Sequence, residues 1–253
     1  KGINGRILTQ TDARGMELDA VAEERVEPQP GNDLVLSLNI DLQTYAEQAA
    51  KTVMKEKQAR QVSVILMNPK TGEILAMVSV PEFDCNDPFT LNTEANPETE
   101  EQKQDLLNAM WRNPCINDTY EPGSTFKILS TYAPALNEKG MTLATTFEDE
   151  PYNYPDGSPV NNASKSYGGT TTIRKAIQNS VNVVAVKCLE EVTPQLGLQY
   201  LDNFGFTTLA HGTEADRDAN GTVWTDANLP LALGGLTHGV TNVELCAAYA
   251  AIA

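Results

Sequence analysis

The 253-residue chain is poor in the residues that bind metals, nucleic acids and membranes. Histidine is scarce, with only His211 and His238, and the four cysteines (Cys85, Cys115, Cys188, Cys246) form no C-x-x-C pair. A Cys/His zinc site is therefore not expected, and the cysteine pattern leaves the redox compartment open. Basic residues are outnumbered, 18 Lys+Arg against 34 Asp+Glu, for a formal net charge of −16. That balance excludes a nucleic-acid partner, which needs a clustered basic surface, and docking on anionic lipid through the protein's own charge. No run approaches 18 consecutive apolar residues, so no membrane span is expected, and the polar Lys1–Gly15 does not read as a signal peptide. What is present is ordinary for a folded domain: 41% hydrophobic and 21% charged residues. The length suits one large domain, or one with a small appendage.

Residues 1–33, with six Gly and Pro and little apolar periodicity, read as turns and short strands leading into the body of the protein. Leu34–Leu38 is expected to be a short strand. Asn39 or Asp41 can then cap a helix over about 41–57, where Leu42, Tyr45, Ala49 and Val53 recur at near-helical spacing. The runs Val62–Met67 and Glu73–Val80 flank the turn Asn68-Pro-Lys-Thr-Gly72 and read as a hairpin. Both strands are apolar on successive residues, which predicts a sheet covered on both faces. The acidic run Glu94–Asp105 reads as a solvated loop and helix face. A buried helix is expected over Glu121–Leu136, with Phe126, Leu129, Ala133 and Leu136 in one stripe and a kink at Pro134. Another should run from Ile173 to about Gln178, capped by Thr170 or Thr171, followed by the apolar segment Val183–Leu189. Strands first and helices later predict an α+β domain. The apolar end Cys246–Ala253 reads as a helix without cap or stop signal, which predicts a piece of a longer protein.

Chemistry concentrates at Ser124-Thr-Phe-Lys127. At i and i+3 on a helix the two side chains share one face. A serine hydroxyl becomes a competent nucleophile when a neighbouring base takes its proton, and a lysine amine can be that base if desolvation lowers its pKa. Ser124 also begins its helix, where unpaired N–H groups favour a developing oxyanion. The same four residues also read as a capping serine and a surface lysine. Downstream, Asn179-Ser180-Val-Asn182 offers a hydroxyl that can relay a proton and an amide that can hold a substrate, or equally a polar helix stop.

Ser124-x-x-Lys127 followed by Ser180-x-Asn182 resembles the active-site serine family of penicillin-binding proteins and β-lactamases. The flanks Glu121–Lys127, Asn68–Met77, Tyr167–Ala176, Leu233–Val240 and Ala247–Ala253 are similar to transpeptidase-domain segments, in the right order over nearly the whole chain. Residues 1–130 resemble the class B, division and sporulation type; residues from about 140 onward resemble the bifunctional class A type. The resemblance implies a β-lactamase/transpeptidase-like α+β fold, an antiparallel sheet with helices on both faces, incomplete at the C-terminus. It also implies an N-terminal segment over 1–33 leading from a non-catalytic region, and a transpeptidase domain over 34–253.

As for activity, the resemblance implies a D,D-transpeptidase that cross-links peptidoglycan stem peptides through a Ser124 acyl-enzyme. Lys127 would be the base, Ser180 the relay and Asn182 a substrate-binding donor, with neither metal nor cofactor. Same-fold alternatives are a D,D-carboxypeptidase, a β-lactamase or a β-lactam sensor; a non-catalytic wall-assembly module is the alternative of another kind. Implied partners are stem peptides, β-lactam antibiotics and cell-wall synthesis or division proteins, at the extracytoplasmic face of a bacterial membrane. Two tripeptides are decoys. Ser37-Leu-Asn39 imitates the second motif but precedes Ser124, and Lys70-Thr-Gly72 imitates the family's third, a Lys-Thr/Ser-Gly that follows the Ser-x-Asn box. That third box is expected beyond Ala253, and without it the 253 residues are expected to acylate slowly or not at all, since one oxyanion donor is worth about 10²–10³ in rate.

Overall fold

A computed structural model describes residues 2–8, 24–92 and 95–253. Lys1, Gly15 and Glu94, named above, lie outside the described residues. The chain divides into two compact units, Lys1–Ser37 and Leu38–Ala253. In the first, β1 (Arg6–Leu8) pairs antiparallel with β2 (Glu24–Val26). The strand expected over Leu34–Leu38 is absent, because these residues join no ladder. Apolar composition gives a segment strand propensity without giving it a partner.

The second unit begins with α1 (Ile40–Lys57), close to its expected span. Asn39 caps it, its Oδ1 accepting from the amides of Asp41 and Leu42, so the serine–asparagine decoy is a helix start. Next, β3 (Val62–Met67) and β4 (Ile74–Val80) form the expected antiparallel hairpin. Its turn contains Lys70–Gly72, with the Gly72 amide donating to the Asn68 carbonyl at 2.8 Å. The hairpin is indeed covered on both faces. Ala76, Val78 and Val80 pack with Ala46 and Ala50 of α1. On the opposite face, Ser79 Oγ lies 3.4 Å from Cys115 Sγ and Asn113 Nδ2 meets Met77 Sδ at 3.2 Å. Gln43 of α1 also completes the outer edge of β4, donating to the Met77 carbonyl at 3.0 Å and accepting from its amide at 2.9 Å. At Met77 the backbone groups of the edge are thereby taken up and unavailable to a further strand.

The chain then runs through α2 (Glu100–Trp111), α3 (Pro114–Asn117), which carries Cys115, and the short β5 (Thr119–Tyr120). The long helix expected over 121–136 is present but changes wind twice. Gly123–Phe126 is a 3₁₀ turn, Ile128–Tyr132 is π-helical, and α4 (Ala133–Glu138) is regular. The π turn lies directly before Pro134, which has no N–H to continue an α ladder. Gly197 comes against the carbonyl of Ser130, where a Cβ would stand 2.7 Å from the oxygen.

Four short strands follow: β6 (Thr146–Asp149), β7 (Tyr152–Asn153), β8 (Pro159–Val160) and β9 (Gly169–Thr172). They pair β6 with β9 and β7 with β8. Thr170 and Thr171 therefore belong to a ladder, and Thr172 is the cap of α5 (Ile173–Gln178). Next is α6 (Asn182–Val192), where Val183, Val184, Ala185, Val186, Cys188, Leu189 and Val192 are all buried. A helix apolar on nearly every side belongs in the middle of a core, and α6 is enclosed by the 123–138 helix, α7 (Pro194–Asn203) and the 3₁₀ segment Leu229–Leu233. The chain continues to β10 (Val240–Thr241), paired with β5, and α8 (Asn242–Ile252). The last helix does have a start signal: Thr241 and Glu244 form a reciprocal capping box.

Candidate active site

Ser124 lies exposed in the 3₁₀ turn that follows β5. The strand is held by β10, and the turn is held from two further sides. Gly234, at φ +75°, packs on the backbone of Gly123 so closely that a Cβ would overlap the Gly123 carbonyl oxygen. Tyr249 of α8 donates its hydroxyl proton to the Thr125 carbonyl at 2.6 Å. No side chain caps the turn, so Ser124 is not a capping serine. Its hydroxyl is free of hydrogen bonds with the described residues, and its amide precedes the first intrahelical bond of the turn.

Lys127 is not a surface lysine. It is 3% exposed, and its Nζ donates to the Ser180 carbonyl at 2.7 Å, Ser180 Oγ at 2.9 Å and Asn182 Oδ1 at 2.6 Å. Three acceptors match the three protons of an ammonium, and all three are neutral. Among the described residues no carboxylate stands within ion-pair distance of it. Burial without an anion penalises the charged form, and desolvation pushes the Lys127 pKa down to about 8. The amine thus loses its proton near neutrality, and the lone pair then becomes available one turn from Ser124. In the charged state, Ser124 Oγ is not among its partners.

Ser180 reaches Lys127 with two atoms because its backbone is left-handed, φ +51°. An L-residue held there is strained by about 1 kcal/mol or more and persists only where its surroundings impose it. Here the strain points carbonyl and hydroxyl at one amine. Asn182, the first residue of α6, gives Oδ1 to Lys127 and donates Nδ2 to the Asn161 carbonyl at 2.7 Å. One Nδ2 proton remains for a ligand. A cavity of about 260 Å³ opens beside Ser180, with Asp149, Asn162, Tyr167 and Lys175 among its lining residues.

The structure therefore brings Lys127, Ser180 and Asn182 into direct contact and sets Ser124 on the next turn of the same helix. Sequence reasoning missed two residues behind them, Asn162 and Asp149, which are buried and hydrogen-bonded to each other at 2.7 Å. No spacing rule singles out Asp149 within Glu148-Asp-Glu150, and Asn162 caps a helix 20 residues further on rather than its own.

Similarity to known proteins gives the family. A family described as penicillin-binding protein transpeptidase domain matches residues 62–253. The chain belongs to this family. Stage V sporulation protein D of Bacillus subtilis is 31% identical over 207 residues, 81% of this chain and 30% of that protein. A peptidoglycan D,D-transpeptidase FtsI homolog of Chlorokybus atmophyticus is 27% identical over 269 residues, 99% of this chain and 37% of its own length. The chain thus spans about a third of these curated transpeptidase-family relatives. Among solved structures, the transpeptidase domain of Burkholderia pseudomallei penicillin-binding protein 3 superposes with a TM-score of 0.63 at 23% identity, covering 88% of this chain and 59% of that one. This establishes the α+β transpeptidase fold.

Proposed function

We propose that this domain is a D,D-transpeptidase acting on peptidoglycan stem peptides and acylated by β-lactams. The observation that carries the proposal is the buried Lys127 amine, held by neutral acceptors only, one turn from an exposed serine. In the reaction, Ser124 Oγ attacks the carbonyl between the two terminal D-alanines as its proton passes to neutral Lys127. The Ser124 amide stabilises the oxyanion. The C–N bond breaks, the departing amine takes a proton through Ser180 Oγ, and D-alanine leaves. The ester at Ser124 is then attacked by the amine of a second stem peptide, which forms the cross-link and frees the serine. Asn182 holds the donor peptide with its remaining amide proton. None of these steps calls for a metal or an organic cofactor. We assign the activity to residues 34–253, supported by the compact unit Leu38–Ala253 and the family match over 62–253.

This substrate places the work outside the bacterial cytoplasmic membrane, alongside cell-wall synthesis or division proteins. No helix among the described residues is long and apolar enough to cross a membrane. The test is intact-mass spectrometry after incubation with penicillin. A persistent penicilloyl adduct on the chain, absent from Ser124→Ala, supports the reading. An adduct of equal yield on Ser124→Ala contradicts it; no adduct on either is what the expected lack of a Lys-Thr/Ser-Gly box gives, and the same comparison is then made on a longer chain that carries that box. An adduct that clears rapidly favours a β-lactamase.

A further inference from the structure

Two buried polar side chains behind the site have no part in the chemistry above. Asp149, 4% exposed, ends β6, and Asn162, 6% exposed, follows the β7–β8 hairpin. Asn162 Oδ1 accepts from the backbone amides of Asn182 at 3.0 Å and Val183 at 3.2 Å, the first two residues of α6. Its Nδ2 donates to Asp149 Oδ1 at 2.7 Å and to the Ser166 carbonyl at 3.1 Å. Asp149 Oδ2 accepts from the Gly168 amide at 2.7 Å. Two donors meet the oxygen of Asn162 and two acceptors meet its nitrogen, so only one orientation of the amide satisfies them. Val181, the N-cap residue of α6, offers no capping side chain, and Asn162 supplies the cap from a distance.

The same arrangement reaches the catalytic amine. Asn161 takes the Asn182 side-chain nitrogen while Asn162 takes its backbone nitrogen, so adjacent residues fix both ends of Asn182. That leaves Asn182 Oδ1 facing Lys127 at 2.6 Å. We infer that Asp149 and Asn162 are positioning residues for Lys127: Asp149 orients the Asn162 amide, Asn162 sets the first turn of α6, and that turn presents Asn182 to the amine. The inference rests on the reading of Lys127 as the base, yet it can be tested without acylation.

The experiment follows the Lys127 side-chain resonance of the full chain, labelled with ¹³C-lysine, through a pH titration, with Lys127→Met used for assignment. Asn162→Asp sets two carboxylates against each other, and Asp149→Asn leaves a donor facing the Gly168 amide or the Asn162 nitrogen unsatisfied. The double variant Asp149→Asn/Asn162→Asp exchanges the two groups and restores a donor–acceptor pair, with a carboxylate still accepting from the start of α6. Asp149→Asn is expected to lower the Lys127 midpoint, because the charged amine loses a positioned acceptor; Asn162→Asp adds a second carboxylate near the amine, which acts in the opposite direction. The double variant, with one carboxylate as in the wild type, should return the midpoint toward the wild-type value. Penicillin acylation, where followed in parallel, should fall about 10–100-fold in the single variants and recover in the double. Should Asn162→Asp fail to fold, Asp149→Asn compared with the double variant carries the test. A lowered melting temperature with an unmoved Lys127 midpoint would overturn the inference and leave a purely structural pair. Failure of the base reading shows differently, as wild-type acylation unaffected by Lys127→Met.

Discussion

The layer of α1 on the β3–β4 hairpin and the layer around Ser124, Lys127 and α6 belong to one compact unit but are built on opposite principles. In the first, regular elements meet through small and β-branched side chains, Ala46 and Ala50 against Ala76, Val78 and Val80. Among its long-range polar contacts, Gln43 on Met77 answers both backbone groups of a residue at the strand edge. The second has a 3₁₀ turn, a π turn, a left-handed serine and a buried amine with no anion. Such features cost stability locally and are retained where they position chemistry. The difference teaches where this fold takes its stability from and where it gives some up.

Substitutions can sharpen that contrast. Ser124→Ala should abolish penicilloyl adduct formation and leave the melting temperature unchanged, since the side chain is exposed and unbonded. Lys127→Met should slow acylation by about 10³-fold or more, and it also separates the two principles thermodynamically. The folded-state pKa of about 8 lies below the ordinary lysine value of 10.5. Between these pH values the unfolded chain binds more protons, so wild-type stability should rise with pH across the window. The lowering corresponds to about 3 kcal/mol. Urea unfolding at pH 7 and pH 10 should show a gain for the wild type that Lys127→Met lacks. Val78→Ala should do the reverse, costing about 2 kcal/mol of stability with the acylation rate constant of the folded fraction unchanged. Asn39→Ala, which removes only the α1 cap, should cost about 1 kcal/mol by denaturant titration and leave acylation alone. A Val78→Ala enzyme that is stable but slow would break the comparison.

The same division governs what could be read from the sequence. Regular elements were legible: the hairpin with its Lys70–Gly72 turn, and α1 nearly to the residue, because period and turn chemistry are local. The order and spacing of the motifs singled out Lys127, Ser180 and Asn182, which meet at the amine, whereas the hydrogen-bonding reach expected of Ser124 and Lys127 is not realised, since Ser124 Oγ is not among the partners of Lys127. The strand expected at Leu34–Leu38 failed because a ladder needs a partner that propensity does not name. Thr170, Thr171 and Thr172 all pair with β6, and Thr172, the last of them, is the one whose hydroxyl oxygen accepts from the Lys175 amide and caps α5. The 3₁₀ and π turns and the left-handed backbone at Ser180 follow no apolar period, and the close approach of Gly197 to Ser130 has no local signal in the sequence. Asn162 and Asp149 act across 20 and 19 residues, on α6 and Gly168, beyond the reach of any short motif. The capping box at Thr241 and Glu244, by contrast, was in plain sight as Thr-x-x-Glu.

The central claim is that Lys127 is a buried amine whose proton leaves near neutrality. The most direct measurement is its side-chain titration by NMR in the intact wild-type chain. A midpoint at about 8 is predicted. A midpoint at or above the ordinary lysine value of about 10.4 would contradict the account, because the neutral amine that accepts the Ser124 proton would then fall from about a tenth of the molecules at pH 7 to fewer than about one in 10³.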